Sequence, residues 1–120
     1  MCVIKFFSPK CQVQYAAEKK WLEQFHNEGV KGVPSMLRYS DSHRALLMSP
    51  WARPALELDF ASPRFMGHVV DVLESIHKLN IVHCDVRPPN FLVAENGLPL
   101  LIDFGSAVEK ESDTHLTRRP

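Results

Sequence analysis

The sequence has no excess of charge of either sign. Its 120 residues include 14 basic and 14 acidic side chains, which gives a formal net charge of zero. Binding to nucleic acid or to an anionic membrane usually requires concentrated positive charge, so we expect neither partner. The sequence also lacks an apolar run near the roughly 20 residues that span a bilayer, and its start does not resemble a signal peptide. We therefore expect a soluble cytoplasmic protein.

Cysteine is scarce as well. The three cysteines, Cys2, Cys11 and Cys84, are an odd number and show no C-x-x-C spacing. The six histidines are scattered along the chain. Neither a disulfide framework nor a zinc site is therefore indicated.

Short β-branched and apolar runs predict three strands in the first half of the chain, at residues 2–7, 36–39 and 45–48. The second and third runs flank a polar group at 40–43 that can close a turn. These two strands are expected to pair antiparallel.

Two segments show the spacing of amphipathic helices. The first covers about 12–26, and the second runs from Ser62, an N-cap followed by Pro63, to about Leu79. The apolar positions of the first helix are Val13, Ala17, Trp21, Leu22 and Phe25.

A small hairpin is predicted near the end of the chain. Two apolar runs, 91–93 and 100–102, flank Asn96-Gly97, a dipeptide favoured where both turn residues need positive φ. After residue 107 the sequence is polar and has little to bury, so we expect a disordered tail over 108–120.

The most specific pattern lies around this hairpin. His83, Asp85 and Asn90 form an H-x-D-x-x-x-x-N motif, and Asp-Phe-Gly follows at 103–105 after twelve intervening residues. Together and in this order, the two motifs resemble the active-site core of a protein kinase, and most closely that of serine/threonine kinases. The resemblance implies ATP-dependent phosphoryl transfer with Mg²⁺ as the second cofactor.

The resemblance assigns roles to the residues of these motifs. Asp85 would accept the hydrogen bond of the attacking hydroxyl, and Arg87 would neutralise charge at the γ-phosphate, where the family more often has lysine. Asn90 and Asp103 would bind Mg²⁺ through hard oxygen ligands. His83 would be an internal scaffold.

It also implies a phosphate-orienting pair near the start of the chain. Lys5, in the first predicted strand, resembles the lysine that contacts the α- and β-phosphates. Its glutamate partner would be Glu18 on the following helix, with Glu23 as the alternative.

The third predicted strand resembles the one that leads into the interlobe hinge. Met48 would guard the back of the adenine pocket, and backbone groups at Ser49 and Trp51 would face adenine. The implied fold is α+β, a partial two-lobe kinase fold. Its parts would be small-lobe residues 1–48, a hinge at 49–54 and large-lobe residues 55–107.

Several departures from the family lead us to expect a fragment of a longer kinase. No glycine-rich G-x-G-x-x-G loop precedes Lys5, and no A-P-E follows Gly105. Exposed edges such as the first strand would then favour self-association. Cys84 replaces an arginine that often pairs with a phosphorylated residue, so activation by phosphorylation at Thr114 or Thr117 is not expected.

Two alternatives stay open. The chain could be a non-catalytic, pseudokinase-like module that binds nucleotide weakly or offers an interaction surface. It could also belong to a small-molecule kinase, because such enzymes share a related catalytic loop.

Overall fold

A computed structural model describes residues 2–50 and 52–110 of the chain. The smaller lobe contains β1 (Val3–Phe6), α1 (Gln12–Glu28), β2 (Ser35–Ser40) and β3 (Ala45–Ser49). The larger lobe contains β4 (Arg53–Pro54), α2 (Glu57–Phe60), α3 (Pro63–His77), β5 (Ile81–Val82), β6 (Phe91–Val93), β7 (Pro99–Leu101) and β8 (Val108–Glu109). Short 3₁₀ turns at Pro9–Cys11 and Pro88–Asn90 precede α1 and β6.

The sheet of the smaller lobe has the antiparallel order β1-β3-β2. The three predicted strands all form, and β3 lies in the centre because Leu46 and Met48 point into the core. No described residue pairs with the outer edge of β1, where Ile4 and Phe6 are exposed. Self-association through this edge stays a prediction.

The buried face of helix α1 differs at its start from the one predicted from apolar spacing, and agrees at Trp21, Leu22 and Phe25. Val13 is 77% exposed, and Tyr15, about half a helical turn further along, is buried instead. The buried face follows the helical period and consists of Tyr15, Glu18, Trp21, Leu22 and Phe25. The prediction failed at the first turn because it relied on apolar spacing, which selected Val13 and left out Tyr15. The helix ends at Glu28, and Gly29 takes the left-handed conformation, with φ +69°, that terminates many helices.

Helix α3 agrees with its prediction. The Ser62 side chain accepts a hydrogen bond from the Phe65 backbone N–H at 3.3 Å, and Pro63 occupies the first helical position. The buried residues are Phe65, Val69, Val72 and Ile76. Each such side chain stabilises the fold by roughly 1.5–3 kcal/mol when fully buried.

The hairpin β6–β7 connects the segment that carries Asn90 to the segment that carries Asp103. Its strands pair with Leu92 opposite Leu100, and Gly97 has φ +82° in the connecting turn. The Ile102 N–H donates to the Asn90 carbonyl oxygen at 2.9 Å, so the chain segments that carry Asn90 and Asp103 leave the hairpin side by side.

The loop after α1 joins the two lobes. The Leu101 N–H donates to the Gly32 carbonyl oxygen at 2.8 Å. Gly32 has φ +83°, and a Cβ atom at this position would lie 2.3 Å from Val72 Cγ2. Only glycine fits this conformation and this close approach to α3.

Regular pairing continues past the point where we expected a disordered tail. Strand β8 pairs with β5, and the Lys110 N–H donates to the Asn80 carbonyl oxygen at 2.6 Å. A strand of two residues held by backbone hydrogen bonds leaves no periodic signal in the sequence. Residues 111–120, including Thr114 and Thr117, lie outside the described part of the chain. Among the described helices, none combines the length and apolar character that a membrane crossing would need.

Candidate active site

A lysine and two carboxylates meet where the lobes face each other. The Lys5 ammonium donates to both carboxylate oxygens of Glu18, at 3.1 and 3.0 Å. It also donates to Asp103 Oδ1 at 3.3 Å. Strand β1, helix α1 and the segment after β7 are therefore joined by one cation. Glu23 is exposed on another face of α1, so Glu18 is the glutamate that meets Lys5.

Glu18 is an unusual residue because its side chain is only 2% exposed. Burial raises the pKa of its carboxyl group above the ordinary value, and the nearby Lys5 ammonium opposes that shift. A buried carboxylate requires a cation with good geometry. Lys5 supplies that cation.

His83 anchors the loop that carries Asp85. The His83 ring is 1% exposed and packs edge-on against Phe104, with ring centroids 4.9 Å apart. Its Nδ1 accepts the backbone N–H of Asp85 at 3.0 Å, so Nε2 carries the proton and donates to the Ile102 carbonyl oxygen at 2.9 Å. Cys84, between them, has φ +70°. The imidazole thus ties the loop to the end of the hairpin.

The Asp85 carboxylate is held on both sides. Its Oδ1 contacts Arg87 Nε at 2.7 Å, and its Oδ2 accepts from Asn90 Nδ2 at 3.0 Å. The same Nδ2 donates to the Asp85 backbone carbonyl at 2.7 Å. The Asp85 side chain is one-third exposed, which leaves it accessible to solvent.

Asn90 and Asp103 offer oxygen atoms suited to a hard cation. Both hydrogen bonds of the buried Asn90 side chain use Nδ2, and no described donor contacts its Oδ1. The Asp103 side chain is 46% exposed, and a backbone φ of +67° sets its direction. An amide oxygen and a carboxylate are typical Mg²⁺ ligands, so the residues present fit that ion.

An apolar cavity of about 320 Å³ adjoins these polar groups. This volume lies at the small end of the usual range for small-molecule sites, roughly 300–1,000 Å³. Met48 lies in its wall, as does Pro50, the residue after Ser49. The other lining residues are Val3, Ile4, Lys5, Glu18, Pro34, Leu92, Ile102 and Asp103. Trp51 lies outside the described residues.

Six of these lining residues were given no site role from the sequence: Val3, Ile4, Pro34, Pro50, Leu92 and Ile102. Val3, Leu92 and Ile102 bring apolar side chains to the cavity from β1, β6 and the end of β7. Their positions in short apolar strands predicted burial, but the sequence pattern alone does not show which buried side chains face a cavity.

Residues 59–119, just over half of the chain, match the protein kinase domain family. The chain belongs to the protein kinase family. The match includes the catalytic loop and the Asp-Phe-Gly segment, and therefore the large-lobe residues described above.

Curated relatives extend this likeness toward the start of the chain. Serine/threonine-protein kinase C of Synechocystis is 31% identical over 127 aligned residues, which cover 87% of this chain and 23% of the relative. The 3-phosphoinositide-dependent protein kinase 1 of Arabidopsis thaliana is 38% identical over 56 residues, covering 47% of this chain and 11% of the relative. The matched part of this chain thus spans less than a quarter of the length of either relative.

Solved structures confirm the fold class. The crystal structure of monomeric WbdD matches 97% of this chain and 33% of its own with a TM-score of 0.70 at 24% identity. The structure of the bifunctional kinase-methyltransferase WbdD matches the same share of this chain with a TM-score of 0.65 at 23% identity. The predicted partial two-lobe α+β kinase fold is therefore correct.

Proposed function

We propose that this chain forms the catalytic cleft of a kinase that transfers the γ-phosphoryl group of ATP to serine or threonine hydroxyls of a protein. The observation that carries the proposal is the contact of Lys5 with both Glu18 and Asp103, beside the Asp85–Asn90 pair. The kinase relatives named as serine/threonine enzymes support the choice of acceptor.

Lys5 and Glu18 would orient the nucleotide phosphates. Lys5 lines the apolar cavity and its side chain is one-third exposed, so its ammonium would be accessible to the α- and β-phosphates of a bound nucleotide. Because Glu18 accepts two hydrogen bonds from Lys5, its carboxylate limits the positions that the ammonium can take. The side chain of Met48 and backbone groups at Ser49 and Trp51 would contact the adenine.

Asn90 Oδ1 and the Asp103 carboxylate would hold Mg²⁺. When bound, the ion would neutralise charge on the phosphate oxygens. Asp103 therefore serves two purposes, since its Oδ1 also accepts from Lys5.

Asp85 would receive the substrate hydroxyl. The hydroxyl oxygen forms a bond to the γ-phosphorus while the bond from that phosphorus to the β,γ-bridging oxygen breaks, and ADP leaves. The hydroxyl proton passes to the Asp85 carboxylate. Asn90 keeps this carboxylate in place, and Arg87, which contacts it at 2.7 Å, would turn toward the γ-phosphate.

The contact between Arg87 and Asp85 also favours a second candidate function, that of a module that binds nucleotide without transferring phosphate. Arg87 and Asn90 occupy both oxygens of Asp85. If Arg87 stayed in this position with nucleotide present, the carboxylate could not accept the substrate proton.

Phosphate transfer from γ-³²P-labelled ATP to a generic protein acceptor distinguishes the two functions. We expect Mg²⁺-dependent labelling that falls at least a hundredfold in Asp85→Asn, while nucleotide affinity stays within about threefold. Asp71→Asn, an exposed aspartate on α3, is the control and should retain labelling. Nucleotide binding without labelling in the unmodified chain would favour the binding module, and labelling that survives in Asp85→Asn would contradict the proposed role of Asp85.

A further inference from the structure

We propose that Asp41, in the turn between β2 and β3, is a positioning residue that holds α1 so that Glu18 meets Lys5. This role rests on the proposed function, because it concerns the pair that would orient the ATP phosphates. Asp41 itself does not line the nucleotide cavity.

Asp41 joins two side chains of α1 to the sheet. The Tyr15 hydroxyl donates to Asp41 Oδ1 at 2.6 Å, and the Lys19 ammonium donates to the two Asp41 oxygens at 3.1 and 3.4 Å. Lys19 also lies 3.7 Å from the centroid of the Tyr39 ring in β2. The turn and its strand therefore hold the helix through one carboxylate and one aromatic ring.

The two tethered residues lie on either side of Glu18 in the helix. Tyr15 comes three residues before Glu18, and Lys19 follows it directly. Since this is about one turn of a rigid helix, fixing Tyr15 and Lys19 also fixes the distance of Glu18 from β1. Tyr15 and Glu18 share the buried face of α1, so the tether and the Lys5–Glu18 contact begin on the same side of the helix.

Lys5 has a second carboxylate partner, Asp103, in addition to Glu18. If α1 moved away, the ammonium could keep its contact with Asp103 at 3.3 Å while losing Glu18. The Lys5–Glu18 contact therefore depends on what holds α1. Among the described residues, Asp41 is the acceptor for both the buried Tyr15 hydroxyl and the Lys19 ammonium.

The test compares Asp41→Ala with Ser42→Ala in the same turn. The Asp41 side chain is 65% exposed, and its backbone carbonyl, which accepts the Arg44 N–H, stays in place after substitution. Ser42→Ala removes only exposed hydrogen bonds to Ser40 and His43. It therefore controls for damage to the turn.

The first readout is the rate at which an N-hydroxysuccinimide ester acylates Lys5, measured by mass spectrometry. An amine released from a buried carboxylate reacts faster, so we expect a rate increase of about fivefold in Asp41→Ala and none in Ser42→Ala. Asp41→Glu should restore most of the protection. An unchanged Lys5 rate in folded Asp41→Ala would overturn the proposal.

Amide hydrogen exchange separates positioning from a general loss of stability. We expect faster exchange in α1 of Asp41→Ala and unchanged exchange in α3. Equal acceleration in both helices would show that Asp41 acts on overall stability, which would also overturn the proposal.

Mg²⁺-ATP affinity forms the third readout. We expect a roughly fivefold weakening in Asp41→Ala, in step with the release of Lys5. If the unmodified chain binds no ATP, the proposed function fails, but a selective change in Lys5 acylation and α1 exchange would still support the tether. An affinity that stays unchanged after Lys5 has been released would overturn the link between Asp41 and the phosphate-orienting pair.

Discussion

Lys5 and Glu18, which are 13 residues apart in sequence, are joined by two hydrogen bonds of 3.1 and 3.0 Å, and Glu18 is almost fully buried. The contact crosses from the sheet of the smaller lobe to its helix. It also reaches the larger lobe, because the same ammonium donates to Asp103.

Glu18→Gln should separate stability from nucleotide binding. The pKa of Glu18 is raised above its ordinary value, chiefly by burial, so the ionised carboxyl is less favourable in the folded chain than in water. Stability linked to this group is full below the unfolded pKa and decreases as pH rises through the folded pKa. At pH 7 the Glu18→Gln variant, with its uncharged amide, should therefore have a melting temperature no lower than that of the unmodified chain. Lys5 still has a carboxylate partner in this variant, because its ion pair with Asp103 remains.

In the same Glu18→Gln variant, the affinity for nucleotide should fall even though the stability does not. Glutamine cannot offer Lys5 a charged bidentate acceptor, and we expect Mg²⁺-ATP to bind about tenfold more weakly. Glu23→Gln, at an exposed position of α1, is the matched control and should change neither property. A large fall in the melting temperature of Glu18→Gln, or an unchanged affinity, would contradict this interpretation of the pair.

Two glycine-to-alanine changes should have opposite effects on stability. Gly32→Ala places a methyl group 2.3 Å from Val72 Cγ2 at φ +83°, and we expect it to lower the free energy of unfolding by about 1–3 kcal/mol. Gly67→Ala lies in α3 with no atom near its added methyl group, and should raise that free energy by about 0.5–1 kcal/mol. Urea melts of both variants measure the difference, and equal effects would show that Gly32 is not a close contact between the lobes.

Acid stability should depend on Asp59 in the larger lobe. The Arg53 guanidinium donates to both Asp59 oxygens at 2.9 Å, and the Leu56 N–H donates at 2.7 Å, so the pKa of Asp59 falls to about 2. The unfolded chain then binds more protons than the folded chain between the ordinary value of 3.8 and about 2. Stability from this group is complete above that window and decreases as pH falls through it.

Thermal melts between pH 5 and 2 measure this dependence. The melting temperature of Asp59→Asn should fall less steeply with acidification than that of the unmodified chain. Asp71→Asn, whose carboxylate is 71% exposed, should keep the original slope. Parallel curves for Asp59→Asn and the unmodified chain would show that the Arg53–Asp59 contact does not form in solution.

The helix and the hairpin that depend on short-range sequence patterns could be predicted from the sequence. Helix α3 follows from Ser62-Pro63 and a 3.6-residue apolar period, and the β6–β7 hairpin follows from two apolar runs around Asn96-Gly97. The spacing of Asp85, Asn90 and Asp103 selected three side chains whose roles stay predictions, and the structure shows Asn90 in contact with Asp85 and Asp103 in contact with Lys5. These features depend on residues close together in sequence or on a motif of fixed order.

The features that sequence did not reveal depend on distant contacts. The apolar spacing of α1 suggested Val13, and it gave no indication that the Tyr15 hydroxyl would bond to Asp41, 26 residues away. Pairing of β8 with β5 likewise depends on two segments far apart in the chain. A single sequence contains no periodic signal for either contact, so only the folded arrangement shows them.

Mg²⁺-dependent binding of ATP to the chain, measured by isothermal titration calorimetry, tests the central claim most directly. We expect ATP to bind with Mg²⁺ present, to bind much more weakly when Mg²⁺ is chelated, and to lose this Mg²⁺ dependence in Asp103→Asn. Asp71→Asn should bind as the unmodified chain does. Absence of binding, or binding that is indifferent to both Mg²⁺ and Asp103, would contradict the claim that Lys5, Glu18, Asn90 and Asp103 form a nucleotide site in these 120 residues.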